Sequence, residues 1–480
     1  MDSRTAWKIY LALLFGTFVT IEAAAFQAPA LPSLTKHFGI PINLAALILL
    51  MYSLGVTVFA PIMGRLGDQI GRKRVLLVGL LGFALSEIAA ASAANFPIFL
   101  AARFLQGLSV ACILPGVFAY IGHLFPEQRR GMALGIFAMT MTLGAASGGL
   151  LGGLLIDRFG WPSVYWISGA LAFVGILPVM MLVPDLRSTQ SPARFDLKGA
   201  LCLFATIGAL LSLPTWVGNF GASSPYTAVI AATGILGLAM LWRTGQRAAA
   251  PVVDIAILRH RAFALPSAIY WLHLVSFSGI VYALAFFING RPGGSASQFG
   301  FVALFLYGSS MLSAPLAGRL IDRLAPRTVT IFSLTGTLLG LALLLGIRVD
   351  TPLWFIVATV CLLGLMMGSN SPAVMKLAIG AVPCDKMGAG TGLFSMLRDL
   401  GAPTGSSLSL AVFSTSLAIH TRQGNPDALA AALSNVGYLL GGLISVALLL
   451  SLRLERGPAR SSAESVSAPP RDALPSDQRT

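Results

Sequence analysis

Apolar residues along this chain fall into long runs that are separated by short polar or basic connections. A run of about 20 apolar residues is the length that an α-helix needs to cross about 30 Å of bilayer hydrocarbon. We place fourteen such spans at residues 8–31, 42–64, 75–94, 97–123, 132–155, 163–183, 198–217, 226–243, 262–288, 297–318, 328–347, 352–376, 387–417 and 430–452. The pattern therefore predicts an all-α integral membrane protein.

The composition agrees with a chain that exposes little surface to water. Mean hydropathy is +0.81, and only 10% of the 480 residues are charged, well below the share in a soluble domain. The cysteines are scattered singly, which indicates neither disulfides nor a bound metal. Nucleotide-binding loops and hydrolase motifs are absent from the sequence. We therefore expect no enzyme activity and no cofactor.

The net charge is +14, and the basic residues lie in the short connections between apolar runs. This placement is typical of residues that set membrane topology and not of a nucleic-acid-binding surface. If the N-terminus is cytoplasmic, the predicted outside loops contain only Lys36, Arg158, Arg291, Arg348 and Arg422. Basic residues are enriched in cytoplasmic loops of membrane proteins. This distribution predicts a multi-pass protein of the cell (inner) membrane with both termini in the cytoplasm.

An internal repeat divides the chain into two related halves. Residues 61–75 read PIMGRLGDQIGRKRV and residues 315–329 read PLAGRLIDRLAPRTV, each between two apolar spans. Internal repeats are common in transporters whose halves move against each other. We expect a six-helix bundle at 1–190, two inserted helices with a linker at 191–260, a second six-helix bundle at 261–456 and a disordered cytoplasmic tail at 457–480.

The connection Gly64-Arg65-Leu66-Gly67-Asp68-Gln69-Ile70-Gly71-Arg72-Lys73-Arg74 closely resembles the cytoplasmic motif of the major facilitator superfamily. Residues 103–107 resemble the second motif of that family, and residues 144–153 resemble its Gly-rich antiporter motif. Residues 195–196, 251–254 and 388–405 are similar to the fourteen-span drug:proton antiporter subfamily, the multidrug resistance protein B type. The resemblance implies two six-helix bundles plus two extra helices in the middle of the chain.

The resemblance implies export of small amphipathic compounds in exchange for protons, by alternating access. Two departures bear on this expectation. The antiporter motif usually has a Gly-Pro pair where this chain has Gly148-Gly149, which weakens the case for antiport. The first helix has Glu22 where the subfamily commonly has an Asp, which preserves the negative charge.

The candidate proton-coupling residues are the ionisable side chains well inside predicted spans: Glu22, Glu87, Arg103 and Asp399. A charge in hydrocarbon costs at least about 2.5–3.5 kcal/mol, so such residues usually face protein or water. We expect Glu22 to be the main group and Arg103 to be its electrostatic partner, and the alternative is a static ion pair that orients two helices. For Glu87 a structural role is an equal alternative. Asp399 need not pair with its neighbour Arg398, because adjacent residues on a helix point about 100° apart.

Three further groups of residues are candidates for other tasks. The resemblance assigns a cytoplasmic gate to Gly64, Asp68, Gly71, Arg72, Asp322 and Arg327, whereas Lys73 and Arg74 fit plain topology signals. Small-residue spacing predicts close helix packing at Gly144, Gly148, Gly149, Gly152 and Gly153. The candidate substrate-cavity residues combine Met, aromatic and amide side chains, which suit an amphipathic substrate, with one His and one Arg. They are Gln27, Met139, Tyr270, Trp271, His273, Asn289, Asn370 and Arg398.

Two alternatives to proton-coupled export stay open on the sequence alone. The first is a proton-coupled importer or uniporter with the same fold, which the missing Pro at Gly149 favours. The second is a membrane sensor or scaffold that transports nothing. The expected partners are a small-molecule substrate, protons and the lipid bilayer, with a periplasmic adaptor protein as a further possibility and no nucleic acid.

Overall fold

A computed structural model describes residues 3–186, 197–247, 255–382 and 387–454 of the chain. The described residues form helices and connections. The helices are α1 Ser3–Ala25, α2 Gln27–Phe38, α3 Ala46–Ile70, α4 Arg72–Ala91, α5 Phe96–Leu124, α6 Glu127–Phe159, α7 Pro162–Leu182, α8 Leu197–Phe220, α9 Pro225–Arg247, α10 Ile255–Arg259, α11 Arg261–Gly290, α12 Ala296–Arg323, α13 Pro326–Leu345, α14 Leu353–Gly380, α15 Met387–Arg422 and α16 Ala428–Ser451. The predicted all-α membrane fold is confirmed.

The long helices correspond to the apolar spans expected from the sequence. Thirteen of the described helices are long and apolar enough to cross a membrane, and α15, which contains Arg398 and Asp399, occupies the position of the remaining predicted span. The first span is divided at Phe26 into α1 and α2. Pro29 explains this break, because a proline ring clashes with the carbonyl of the residue four positions earlier, here Ala25.

Some sequence-based expectations concern residues outside the described ranges. These are the predicted tail at 457–480 and the motifs at 195–196 and 251–254. Within the described ranges, α8 packs against α3 and α15, while α9 packs mainly against α8. The inserted pair of helices therefore contacts both halves of the chain from one side of the bundle.

Helix α6 packs against helices from both halves through small residues. A Cβ atom at Gly148 would lie 2.6 Å from the backbone oxygen of Glu22 on α1. On another face of α6, a Cβ atom at Gly153 would collide with the backbone of Ala296 at the start of α12. Residues without a side chain let two helix backbones approach closely. The Gly-rich motif thus joins α6 to α1 within one half and to α12 of the other half.

The replacement Gly148→Ala is expected to destabilise the protein by about 1–3 kcal/mol, because overpacking forces neighbouring backbone to shift. Thermal unfolding in detergent measures this effect. Gly135→Ala on the same helix is the matched control, since a Cβ atom at Gly135 meets nothing within 4 Å. Equal melting temperatures for the two variants would contradict the close approach of α1 and α6.

Candidate functional site: a central cavity and a buried charged network

The two halves meet at the end of the bundle opposite the chain termini. We call this the distal end; it contains the connections after Phe159 and after Gly290, and the terminal end contains Ser3 and Ser451. At the distal end of α6, the Asp157 carboxylate accepts hydrogen bonds from the backbone N–H groups of Ala296 at 3.0 Å and Ser297 at 2.8 Å. A carboxylate is favoured at a helix N-terminus because the free N–H groups there carry partial positive charge. Asp157 therefore links α6 of one half to α12 of the other through two hydrogen bonds.

Towards the terminal end, α6 and α12 enclose a cavity of about 510 Å³ together with α11 and α14. Its walls include Met139 and Thr142 from α6, Tyr270 and His273 from α11, and Met367 from α14. A cavity of this volume is in the range that binds small organic molecules. The two halves are thus joined at the distal end through Asp157, and this cavity lies on the terminal side of that contact, while a second pocket of about 570 Å³ lies beside Asp157 at the distal end.

Arg103, in the interior of α5, belongs to a chain of buried polar side chains. Its guanidinium donates a hydrogen bond to the side-chain oxygen of Gln106, and the Gln106 amide donates to the Glu87 carboxylate on α4. The Arg103 guanidinium also lies over the ring of Tyr52, 5.1 Å from the ring centre, and all three polar side chains are almost fully buried. Buried opposite charges linked by hydrogen bonds are far less costly than isolated ones.

Glu22 stands apart from this network. The residue is only 5% exposed, and within the described residues its carboxylate takes part in no hydrogen bond or ion pair. The expected contact with Arg103 is therefore not made in this state. Gln106, one turn from Arg103 on the same helix, binds one nitrogen of the guanidinium, and the ring of Tyr52 on α3 lies over the group.

Arg398 and Asp399 on α15 bind each other, with 2.8 Å between Arg398 Nε and an Asp399 oxygen. Both side chains are partly exposed. The ring of Tyr52 is within electrostatic range of both Arg103 and Asp399. Tyr52 thus contacts Arg103 from α3, a helix that packs against α15 of the second half, and the sequence pattern did not indicate this contact.

The gate residues of each half contact their own half. Asp68 near the end of α3 and Arg72 at the start of α4 form an ion pair. Gly71 has φ +108°, and a Cβ atom there would collide with the Asp185 carboxylate, so glycine is required at this turn. Gly64 lies beside Pro115 of α5.

Lys73 and its repeat equivalent Arg327 perform the same task in the two halves. Lys73 donates to the carbonyl of Met180 near the end of α7 at 2.7 Å, and Arg327 donates to the carbonyl of Leu452 beyond α16 at 2.8 Å. Cations are favoured at helix C-termini, where carbonyl groups lack partners. Lys73 is thus more than a topology signal, and the side chain of Asp322, the expected partner of Arg327, lies outside the described part of the chain.

The predicted substrate residues are divided among different environments. Met139, Tyr270 and His273 line the cavity, whereas Trp271 and Arg398 do not. Gln27 is buried and hydrogen-bonded to Tyr165 at 2.9 Å within the first half. Asn289 faces a separate distal pocket together with Asp157, and Asn370 is fully buried.

Several residues of the site escaped the sequence reasoning. They are Gln106, Tyr52, Asp157, Phe277, Tyr282 and Tyr307. Tyr282 lies within electrostatic range of Tyr307 and of Arg103. The position of a single Asp at the end of the Gly-rich helix could have identified Asp157. The spacing of the tyrosines along the chain does not indicate that residues from three different helices lie near one another.

Similarity to known proteins extends over most of the chain. The family model for the Major Facilitator Superfamily matches residues 13–406 and 267–475. The chain is 26% identical over 435 residues to multidrug resistance protein Stp of Mycobacterium tuberculosis, covering 88% of this chain and 80% of that protein. It is 22% identical over 444 residues to riboflavin transporter RibZ of Clostridioides difficile, covering 92% of this chain and 95% of that protein.

A solved structure has the same architecture. A crystal structure of peptide transporter POT matches with a TM-score of 0.68 at 17% identity, covering 94% of this chain and 98% of that chain. At this level of identity the match concerns the fold alone.

Replacing Gln106 by Leu is expected to lower the free energy of unfolding by about 3–5 kcal/mol, because it leaves Arg103 and Glu87 buried without their connection. Thermal or denaturant unfolding in detergent measures the loss. The matched control is Gln246→Leu, which makes the same replacement at an exposed position near the end of α9. If both variants unfold alike, the hydrogen-bonded chain does not hold the two charges.

Proposed function

Because this chain belongs to the Major Facilitator Superfamily, we propose that it is a transporter that exports small amphipathic compounds in exchange for protons. The family and the structural match are of transporters, which are not enzymes. The observation that carries the proposed coupling is the buried carboxylate of Glu22, which has no partner in a structure that is closed at the distal end. The relative named for multidrug resistance supports the proposed direction and substrate class.

The proposed coupling depends on a change of partner at Glu22. In the state described here, a proton on Glu22 removes a negative charge that no described side chain compensates. Nε and Nη2 of Arg103 have no hydrogen-bond partner within the described structure. Since α1 packs against α5, a shift between these helices can bring Glu22 to those donors, which stabilises the ionised carboxylate in the opposite state until it takes up a proton from outside.

This coupling requires that the proton site and the substrate cavity respond to the same movement. Helix α6 meets both requirements, because Gly148 lies against the backbone of Glu22 and Thr142 lines the cavity. The same helix carries Asp157 at its distal end. A movement of α6 away from α12 therefore opens the distal end and disturbs the surroundings of Glu22 together. The missing ion pair with Arg103 argues against a static pair that only orients helices.

The gate residues complete the proposed cycle at the terminal end. In this state the Asp68–Arg72 pair stays within its own half. We infer that the two gate connections face each other across the cytoplasmic entrance, and that they engage the opposite half when that entrance closes. In this proposal the described state faces the cytoplasm, with both termini on that side of the cell membrane. A periplasmic adaptor remains an expectation from the resemblance.

An importer or uniporter with the same fold is the second candidate. The absence of Pro at Gly149 favours it, as does the similarity to a protein named as a riboflavin transporter. Collapse of the proton gradient by an uncoupler distinguishes the candidates, since it raises accumulation of an exported compound in cells and lowers that of a proton-driven import substrate.

Glu22→Gln is expected to abolish transport driven by a proton gradient while leaving exchange without a gradient, because the amide cannot take up or release a proton. Flux into proteoliposomes with and without an imposed pH gradient measures the two activities. Asp350→Asn makes the same kind of charge removal at an exposed loop residue and serves as the control. Wild-type gradient-driven flux in Glu22→Gln would exclude Glu22 as the proton carrier, and unchanged flux of every kind would favour a sensor or scaffold.

Asp157→Ala is expected to increase the population that is open at the distal end. It removes two hydrogen bonds to a charged group, each worth about 1.5–3 kcal/mol, and about 1.4 kcal/mol changes the ratio of two states tenfold. Spin labels at Ala94 and Gln423, exposed positions in distal connections of the two halves, report the distance in a cysteine-free background. The control is Asp350→Ala, and an unchanged distance distribution in Asp157→Ala would show that Asp157 does not hold the distal end closed.

A further inference from the structure

The walls of the central cavity carry no ionised side chain. The residues that line it are apolar, aromatic, hydroxyl-bearing or sulfur-containing, apart from His273, and none of them is Asp, Glu, Lys or Arg. Met139, Met311 and Met367 stand on three different helices. Methionine side chains are flexible and polarisable, so they adapt to flat ligands of varied shape. The cavity thus offers contact area but no counter-ion.

His273 is the polar group in this wall that is buried and still lacks a partner. Its side chain is 1% exposed, and neither ring nitrogen forms a hydrogen bond within the described structure. A neutral imidazole has one N–H donor and one acceptor nitrogen. A buried polar group without a partner is unfavourable, and a ligand that supplies the partner recovers that loss. His273 therefore has an unused hydrogen-bond donor and an unused acceptor in a residue of the cavity wall.

Aromatic side chains hold the wall beside His273 in a fixed position. Tyr270, one turn earlier on α11, stacks on Phe394 with ring centres 5.3 Å apart and planes 4° apart. Its hydroxyl lies 3.0 Å from the Ser371 hydroxyl, so the Tyr270 hydroxyl already has a partner. Phe277, one turn later, packs edge-on against Tyr307. The wall on both sides of His273 is thus aromatic and rigid, which suits a flat aromatic ligand.

None of the carboxylates that the helices carry into the membrane is among the residues that line the cavity. Glu22 packs beside Gly148, six residues along α6 from the cavity residue Thr142, which corresponds to about 9 Å along the helix. Glu87 is bonded to Gln106, and Asp399 is bonded to Arg398. A permanent cation in the cavity would therefore lose its hydration without gaining an ion pair in the wall.

We propose that this cavity selects neutral, planar aromatic compounds that present a hydrogen-bonding group to His273, and that it discriminates against permanent cations of the same size. The proposal rests on the proposed function, because it assigns the substrate class of that transporter. It separates the groups that bind substrate from the groups that bind protons.

Binding of two matched fluorescent probes to the purified full-length protein in lipid nanodiscs tests this selectivity. Acridone is a neutral three-ring compound with one carbonyl and one N–H group, and N-methylacridinium has the same three rings with a permanent positive charge. We expect acridone to bind at least about tenfold more tightly, which corresponds to about 1.4 kcal/mol. Equal or tighter binding of the cation, or no binding of acridone, overturns the proposal.

Variants at His273 test the assigned contact. His273→Leu is expected to weaken acridone binding about tenfold, and His273→Asn is expected to restore part of it, because an amide again offers a donor and an acceptor. His123→Leu, at an exposed position near the end of α5, is the control. Unchanged acridone binding in His273→Leu contradicts the contact, and circular dichroism with size-exclusion chromatography confirms that each variant is folded.

Failure of the proposed substrate class can be distinguished from failure of the proposed proton exchange. Selective acridone binding without any gradient-driven flux would sink the proposed antiport and leave the substrate class standing. Gradient-driven flux of a permanent cation, with no acridone binding, would overturn the proposed substrate class and leave the proposed antiport standing.

Discussion

A charge inside a membrane-crossing helix bundle must find its partners within the bundle, and in this protein that constraint centres on Arg103. The guanidinium is fully buried in α5 and is held by Gln106, which in turn holds Glu87 of α4. Because all three side chains are almost fully buried and depend on each other for hydrogen bonds, they hold α4 and α5 in position relative to each other. Two further nitrogens of Arg103, Nε and Nη2, have no hydrogen-bond partner in the described structure, and the guanidinium lies over the ring of Tyr52.

The second constraint is the position of α6, which belongs to one half and packs on both. Its glycines allow the backbone of α1 near Glu22 to approach α6 closely on one side and the backbone of α12 to approach it on another. Asp157 adds a directional attachment at the distal end, where its charge meets the N-terminus of α12. A helix that touches the proton site, the cavity wall and the closed end is the structural element through which these three can influence one another.

The fold could be predicted from the sequence because its causes are local. Runs of apolar residues set the helices, the repeat at residues 61–75 and 315–329 indicates two related halves, and prolines account for breaks such as the one at Phe26. The site was harder, since ionisable residues such as Glu22 and Arg103 are conspicuous in apolar runs but their pairing depends on which rotamers and helix faces meet. Gln106 could compete for Arg103 because it lies one turn away, and that competition decides the partner. Tyr52 and His273 acquire their roles only through contacts between distant segments, which no spacing along the chain reveals.

The central claim is that protonation of the buried carboxylate and exchange between the two open states are coupled. Spin labels at Arg74 and Thr328, exposed equivalent positions of the repeat at the terminal end, report the opening of that end without any substrate. The distance distribution between these labels is expected to shift towards the open form as the pH falls, because protonated Glu22 belongs to the state that is closed at the distal end. A distribution that stays the same across the pH range in which the protein remains folded would contradict it.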